Sequence, residues 1–257
     1  MEKVNIFGFN FLSMNDYDNL LWELENGVEL QQGELPFLIT PNVDQVVKYN
    51  RRENANLRAQ MAKAKYILPD GQPLVWVSKL TSRKLRSRLT GSDFFPQLWR
   101  HIVKTNRSTA FIVSSQKVVD RLKEERPSIS SFIPSFYSLD DAKHEAIINE
   151  AAFTLLKEEH PEYLIIGLGY PKQERLAISL LAKCEQEDIE PPFMFLLGAS
   201  AEFYTKVKKR APQLYRRVGL EFMHRFFSEP RRMLKRYFID DLAFFPLALH
   251  EILKKTP

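Results

Sequence analysis

Hydrophobic residues in the first 200 positions alternate between short continuous runs and longer amphipathic segments. The runs are typical of buried β-strands, and the segments have apolar residues at helical spacing. Strands that are apolar on both faces and alternate with helices are typical of a parallel sheet covered on both sides. The pattern therefore predicts an α/β fold with a Rossmann-like parallel sheet core.

The predicted elements alternate along the chain. A short strand with a turn is expected at residues 4–11, and a first helix at 14–30. Further strands are predicted at 35–40, 66–68, 109–114, 132–137, 163–168 and 193–197, and helices at 43–65, 74–80, 94–104, 116–125, 140–157 and 172–187. The alternation stops near Gly198. We therefore predict two domains, a core at residues 1–200 and a helical, basic C-terminal appendage at residues 201–257.

Composition and cysteine usage indicate a protein of a reducing compartment. Cys184 is the single cysteine, so an internal disulfide and a thiolate-rich zinc site are excluded, and a buried position on a helix is expected for it. The N-terminal residues do not have the pattern of a signal peptide. The longest late apolar run, residues 242–249, is far shorter than the ~20 residues that span a bilayer. We expect a cytoplasmic protein that touches a membrane at most from one side.

Positive charge is concentrated in residues 206–236. This stretch holds 11 Lys or Arg and two acidic residues, whereas the rest of the chain has 26 basic and 30 acidic residues, so the formal charge of +5 comes wholly from it. An anionic partner is expected here. Aromatic and aliphatic residues interleave with the basic ones, which suits either a membrane surface or nucleic acid. A solvated basic face is the alternative that composition leaves open.

Four segments follow predicted strands and should therefore meet at one edge of the sheet, where open α/β folds bind ligands. They are residues 40–42, 69–71, 167–174 and 198–200. Asp70 is the best candidate for a general base, because a carboxylate in a turn after a strand can point into the crevice. The alternative is a turn aspartate that bonds its own backbone, and the spacing alone favours that alternative.

Other kinds of site have little support. Gly167 and Gly169 are spaced like the start of a dinucleotide fingerprint, but the third glycine is absent, so the segment suits a phosphate or sugar loop better. The five histidines have no paired spacing that would indicate a metal site, and no GxSxG elbow exists. We expect no metal and no cofactor.

Several segments together resemble the WecG/TagA/CpsF glycosyltransferases, known as glycosyltransferase family 26. Each segment alone is modest, but their order and spacing make the resemblance specific, and it covers nearly the whole chain. The segments are ITPNVD, ILPDGQPLVW, RLTGSDFF, GLGYPKQE, GASAEF, KKRAP and GLEFMHRFFSEPRRMLKRY.

The resemblance implies a cytoplasmic, inverting, metal-independent enzyme. Such an enzyme moves a sugar from a UDP-sugar donor to an undecaprenyl-diphosphate-linked saccharide in polysaccharide, exopolysaccharide or wall teichoic acid biosynthesis. The expected donor is UDP-N-acetylmannosamine or UDP-glucose. The implied core is Rossmann-like, with a C-terminal appendage that closes the site and contacts the cytoplasmic face of the membrane, and nucleic acid is not a partner.

The resemblance also assigns roles to residues. Asp70 would be the general base, and Arg88 would contact the leaving diphosphate or the acceptor phosphate. The remaining implied substrate-binding residues are Thr40 and Asn42 for a sugar, Gln173 for the sugar, Glu202 for the nucleotide, and Arg225, Arg232 and Lys235 over the diphosphate, the last at a position where Arg is common.

One alternative comes from a different functional class. A noncatalytic basic module that binds an anionic membrane or nucleic acid would explain the charge of the C-terminal stretch without any chemistry. It would tolerate Asp70→Asn, whereas an enzyme would lose turnover. An appendage rich in exposed apolar residues would also favour a homo-oligomer.

Overall fold

The structure, a computed structural model, describes residues 1–210 and 243–254. In that part of the chain, strands form an antiparallel hairpin and a six-stranded sheet. They are β1 (Lys3–Ile6), β2 (Phe9–Leu12), β3 (Leu35–Ile39), β4 (Ala64–Ile67), β5 (Thr109–Val113), β6 (Ser130–Phe132), β7 (Tyr163–Gly167) and β8 (Phe193–Leu196). The sheet order is β4-β3-β8-β7-β5-β6 with every neighbouring pair parallel. The predicted α/β fold with a parallel, Rossmann-like core is confirmed.

Helices cover both faces of this sheet. They are α1 (Asp18–Asn26), α2 (Val43–Tyr49), α3 (Ala55–Met61), α4 (Gln72–Lys79), α5 (Gly91–Thr105), α6 (Gln116–Glu125), α7 (Ala142–Glu159), α8 (Lys172–Gln186), α9 (Ser200–Tyr204) and α10 (Phe244–Leu253). None of these described helices is both long and apolar enough to cross a membrane.

Alternate residues of each central strand enter two separate hydrophobic cores. In β7, Leu164 and Ile166 pack into the core beneath α2, α7 and α8, whereas Ile165 packs into the core beneath α1, α5 and α6. Because side chains alternate across a strand, an apolar run buries both faces at once. Cys184 lies buried on α8, as predicted.

The N-terminal strand prediction was incomplete, because residues 3–12 form a hairpin rather than one strand and a turn. Phe7 and Gly8 both have positive φ, at 56° and 80°, as a two-residue hairpin turn requires. A Cβ on Gly8 would lie 1.9 Å from Nη2 of Arg58. The positive φ favours glycine here, whereas the Arg58 side chain is flexible and could move away from a Cβ.

The single helix predicted at residues 43–65 was wrong. The chain instead forms α2, a 3-10 turn at Arg52–Asn54 and α3. Side-chain amides bond carbonyls of the last turn of α2, since Nδ2 of Asn50 donates to the Val46 carbonyl at 2.9 Å and Nδ2 of Asn54 donates to the Lys48 carbonyl at 2.8 Å. The Val46 carbonyl keeps its helical bond from the Asn50 N–H at 3.1 Å, whereas the Lys48 carbonyl is one that a continuing helix would have used.

The last described helix, α10, packs on the core against α2 and α4. The Phe244 ring lies 5.5 Å from the Phe7 ring, and Glu251 pairs with Arg83 at 2.8 Å. Most of the predicted basic stretch, residues 211–236, lies outside the described residues. The domain boundary near residue 200 stays a prediction.

Candidate active site

The ends of β3, β4, β7 and β8 form one edge of the sheet, and the loops after them bring distant segments together. Gly91, the first residue of α5, lies between the loops after β3 and β8. A Cβ placed on Gly91 would lie 3.0 Å from both Thr40 Oγ1 and Ser200 Oγ. Residues that are more than 150 positions apart in the sequence therefore meet in one crevice, as expected for an open α/β sheet.

Asp70 lies in this crevice, at the end of β4. Its backbone N–H donates to the Pro41 carbonyl at 3.2 Å, which joins the loops after β3 and β4. Its Oδ2 accepts a hydrogen bond from the Gly91 backbone N–H at 3.4 Å. This contact ties the turn after β4 to the start of α5, whereas the alternative expected a bond within the turn itself.

Arg88 is brought next to the Asp70 turn by the backbone, because Leu89 N–H donates to the Pro69 carbonyl at 3.0 Å. The buried Tyr17 hydroxyl lies in the same region and donates to the Thr90 carbonyl at 3.1 Å. Burial raises the pKa of Tyr17, the charges of Asp93 and Asp70 raise it further, and Arg88 acts in the opposite direction. Both charges of the proposed catalytic pair thus act on one buried phenol.

The N-terminus of α5 is capped and lies at the crevice, where its first N–H group, that of Gly91, donates to Asp70. Thr90 Oγ1 accepts from the Asp93 N–H at 3.0 Å, as an N-cap threonine does. Arg210 binds Asp93 at 2.9 Å. Burial raises the pKa of Asp93, but hydrogen bonds from Arg210 and Thr90 outweigh it and the pKa is lowered. A helix N-terminus beside arginines suits a diphosphate.

Asn42 has a structural use at the start of α2. Its Oδ1 accepts from the Gln45 N–H at 3.1 Å, and the Gln45 side chain accepts from the Asn42 N–H at 3.0 Å, which completes a capping box. Thr40 lies two residues earlier, at the crevice itself. The structure thus places both predicted residues at the end of β3 and fixes the backbone of the second.

Gln173 is buried, and both ends of its amide are engaged. Its Oε1 accepts from the Gly198 N–H at 3.0 Å, and its Nε2 donates to Glu174 Oε1 at 3.0 Å. The amide therefore joins the loop after β8 to the first turn of α8. One N–H of the amide and one lone pair of its oxygen remain for a ligand.

Glu202 lies on the opposite side of the crevice from Asp70. Its Oε1 accepts from Ser114 Oγ at 2.9 Å, at the end of β5. Three strands separate β5 from β4 in the sheet, which is a lateral distance of about 19 Å at ordinary strand spacing.

Within residues 1–210 and 243–254, no three His, Cys, Asp or Glu side chains are grouped as ligands for a metal ion.

The predicted residues Arg225, Arg232 and Lys235 lie outside the described residues. Sequence reasoning also missed residues that the structure places behind the crevice, namely Tyr17 and Glu174. Tyr17 precedes a helix and carried no signal of a site. Glu174 was within the quoted PKQE segment, but an acid in the first turn of a helix is ordinary.

The chain is similar to known proteins over nearly its whole length. A family model described as Glycosyl transferase WecG/TagA/CpsF family matches residues 4–257. An N-acetylglucosaminyldiphosphoundecaprenol N-acetyl-beta-D-mannosaminyltransferase of Staphylococcus aureus (strain MW2) is 25% identical over 260 residues, which cover 98% of this chain and 92% of that protein. A protein of the same name from Bacillus spizizenii is 29% identical over 213 residues, which cover 80% and 77% of the two chains.

Proposed function

The chain belongs to the WecG/TagA/CpsF family of glycosyltransferases, and from this premise we propose that it transfers N-acetylmannosamine from UDP to an undecaprenyl-diphosphate-linked N-acetylglucosamine. The names of the two relatives support this choice of sugar over glucose. A noncatalytic basic module does not fit membership of a transferase family. Wall teichoic acid or a related surface polysaccharide is the proposed destination of the product.

The observation that carries the proposal is the position of Asp70. It stands after the carboxyl end of β4 and is held by two hydrogen bonds. The Asp70 N–H donates to the Pro41 carbonyl, and the Gly91 N–H donates to the Asp70 carboxylate. Arg88 and the N-terminus of α5 lie beside it, where a leaving diphosphate would be stabilised. A base and positive dipoles for the leaving group thus share one crevice.

In the proposed reaction, the Asp70 carboxylate accepts the proton of the acceptor hydroxyl. The hydroxyl oxygen forms a bond to the anomeric carbon as the bond from that carbon to the diphosphate oxygen breaks. UDP leaves with the electron pair, so the configuration at the anomeric carbon inverts. Negative charge grows on the diphosphate, and Arg88 would stabilise the transition state more than the bound substrate.

The other predicted residues take supporting roles in the proposal. Thr40 and Asn42 lie at the end of β3 to contact a sugar, Gln173 offers its remaining amide N–H to the sugar, and Glu202 lies toward the nucleotide. Arg225, Arg232 and Lys235 are proposed to reach the diphosphate from the appendage at residues 201–257. Catalysis is proposed to need no metal, so these cations would neutralise the leaving group.

The test is a panel of UDP-sugars with a short-chain undecaprenyl-diphosphate-linked N-acetylglucosamine, following UDP release. Wild type should turn over UDP-N-acetylmannosamine. Asp70→Asn keeps an acceptor oxygen for the Gly91 N–H, so it should fold and bind the donor while kcat falls by about 10²–10⁴. Asp120→Asn, at an exposed position on α6, is the matched control. Turnover of Asp70→Asn at the wild-type rate would defeat the mechanism, and no UDP release from any donor would defeat the proposed activity.

We also propose that the protein works at the inner face of the membrane, through an apolar surface on α4 and α10. The two helices pack together. This α4–α10 surface consists of five exposed apolar side chains: Trp76, Leu80, Phe245, Leu249 and Leu253. Those of α10 are spaced four apart and so line one side of the helix.

Charge and position support a membrane as the partner of this surface. Residues 79–88, which follow α4, contain five Lys or Arg and no acid, and such a mixture of apolar and basic residues suits an anionic lipid surface. α4 begins two residues after Asp70 and is about 12 Å long. A lipid-linked acceptor held at this surface would therefore present its sugar close to the proposed base.

Vesicle sedimentation tests the membrane proposal. Leu80→Glu combined with Leu249→Glu should weaken binding to vesicles that contain anionic lipid by about tenfold or more, since burying one such side chain contributes about 1.5–3 kcal/mol. Ile147→Glu, at a comparably exposed position on α7 (66%), is the control and should bind as wild type does. Equal binding of the double variant and the control would exclude this surface as the contact.

A further inference from the structure

A buried carboxylic acid lies behind the crevice. Glu174 is 1% exposed, in the first turn of α8. Its Oε1 accepts hydrogen bonds from the Tyr49 hydroxyl at 3.2 Å and from Gln173 Nε2 at 3.0 Å. In the part of the chain that the structure describes, its Oε2 is buried without a hydrogen-bond partner. A buried, incompletely satisfied carboxyl group costs stability, so a functional reason for it is expected.

The surroundings of Glu174 shift it toward its neutral form. Burial raises the pKa of Glu174, and the hydrogen bonds from Gln173 and Tyr49 only partly oppose this. Both of these partners are themselves neutral groups. Either form of the carboxyl group can accept through Oε1, so the contact to Gln173 does not depend on charge.

The contact to Glu174 determines how the Gln173 amide is oriented. In the observed orientation the amide oxygen faces the Gly198 N–H and the amide nitrogen faces Glu174. The reversed orientation would set the amide nitrogen against the Gly198 N–H, two donors, and the amide oxygen against Glu174 Oε1. The bond to Gly198 could not form in either charge state of Glu174, and the bond to Glu174 could form only if the neutral acid carried its proton on Oε1. The acceptor oxygen of Glu174 thus selects the one orientation that holds Gly198.

Gly198, which the Gln173 amide holds, lies at the crevice. It follows β8 with a φ of +53°, and its carbonyl oxygen lies 3.0 Å from the position that a Cβ on Gly167 would take. Ser200, two residues later, approaches Gly91, which holds Asp70. A shift of the loop after β8 would therefore move groups on both sides of the crevice.

We infer that Glu174 is a positioning residue: it orients the Gln173 amide, which fixes the Gly198 loop and presents the remaining amide N–H to the donor sugar. The part that concerns the sugar rests on the proposed function. The part that concerns Gly198 does not, because it is a property of the free protein.

Hydrogen exchange of the Gly198 amide, measured by NMR, tests the structural part directly. Glu174→Met removes the acceptor at similar volume, and the exchange of that amide should become at least about tenfold faster. Glu174→Gln keeps an acceptor oxygen and should restore slow exchange. Tyr49→Phe, which removes the other bond to the same oxygen, is the matched control and should leave Gly198 protected. Unchanged exchange in Glu174→Met would overturn the inference.

Kinetics with the UDP-sugar donor test the functional part. Glu174→Met should lower kcat/KM for the donor about tenfold or more, and Glu174→Gln should restore most of it. Adding Gln173→Ala to Glu174→Met should cause little further loss, because both act through one amide. Full additivity, or wild-type kcat/KM in Glu174→Met, would overturn the role.

Two outcomes remain to be told apart. If wild type releases no UDP with any donor, the proposed function fails while the exchange result still decides the role of Glu174. If Glu174→Met does not fold, Glu174→Gln decides alone, since a folded Glu174→Gln protein with an unprotected Gly198 amide would contradict positioning by an acceptor oxygen.

Discussion

Gly91 is closely packed between two loops of the crevice, and Gly91→Ala is the substitution that tests this packing. The new methyl group would lie 3.0 Å from Ser200 Oγ and Thr40 Oγ1, and 3.4 Å from Thr40 Cγ2. Contacts of 3.0 Å are closer than nearly all those that a Cβ makes, so neighbours on two loops must each move by a few tenths of an ångström. Ser200 is not free to do so easily, because its hydroxyl donates to the Leu197 carbonyl at 2.6 Å.

The expected cost follows from these contacts. Overpacking of this kind costs about 1–3 kcal/mol, and the helix preference of Ala over Gly at the start of α5 returns up to about 1 kcal/mol. We expect a net loss of about 1–2 kcal/mol in the free energy of unfolding. Because the Gly91 N–H also holds Asp70, kcat should fall about tenfold or more, since misplacement by 1 Å can cost about 10²-fold.

Urea unfolding with unchanged m-values measures the stability, and UDP release measures kcat. Gly169→Ala is the control, because it lies in the same edge of the sheet and a Cβ there meets no atom within 4 Å. Adding Ser200→Ala should cost less in Gly91→Ala than in wild type, as it removes one close contact. Equal stability of Gly91→Ala and Gly169→Ala, or a wild-type kcat in Gly91→Ala, would refute the packing argument.

Two further predictions concern stability. Burial raises the pKa of Glu34, but hydrogen bonds from Lys3 and Lys65 outweigh this effect and lower the pKa to about 2. The Glu34 carboxylate therefore stabilises the fold above its unfolded pKa of 4.5, and this stabilisation is lost as the pH falls toward 2. Glu34→Gln should remove about 1 kcal/mol at pH 7 and flatten the decline between pH 4.5 and 2 in urea unfolding, allowing for solvent screening, and an unchanged decline would contradict this. Tyr17→Phe removes one hydrogen bond to the Thr90 carbonyl, which keeps its helical bond from the Phe94 N–H at 3.0 Å, and should cost about 0.5–1.5 kcal/mol in the same assay, whereas wild-type stability would show that the lost bond contributes nothing.

Much of the fold could be predicted from local pattern. Short apolar runs predicted five of the six strands of the sheet, whereas the strand predicted at residues 132–137 shares only Phe132 with β6. Helix Gln116–Glu125 was predicted with the bounds that the structure has. The failures came where side chains act on nearby backbone, as Asn50 and Asn54 do at the end of α2. Periodicity records which face of an element is buried, and it contains little about polar groups that end it.

The site divides in the same way. Thr40, Asp70, Gln173 and the residues 198–200 were located in the crevice because each follows a strand, and parallel strands end at one edge. What occupies their hydrogen-bonding groups could not be predicted, since Asp70 is bonded by Gly91, 21 residues away, and Gln173 by Gly198, 25 residues away.

The sequence by itself determined the elements, the α/β class and, by resemblance, the family, because hydrophobic period and motif order are local properties of the chain. Only the tertiary structure decided that β8 lies between β3 and β7, that Gly91 must be small, and that Gln173 is held by a buried Glu174. These depend on the order of strands and on close packing between segments far apart in the chain, which no local pattern encodes.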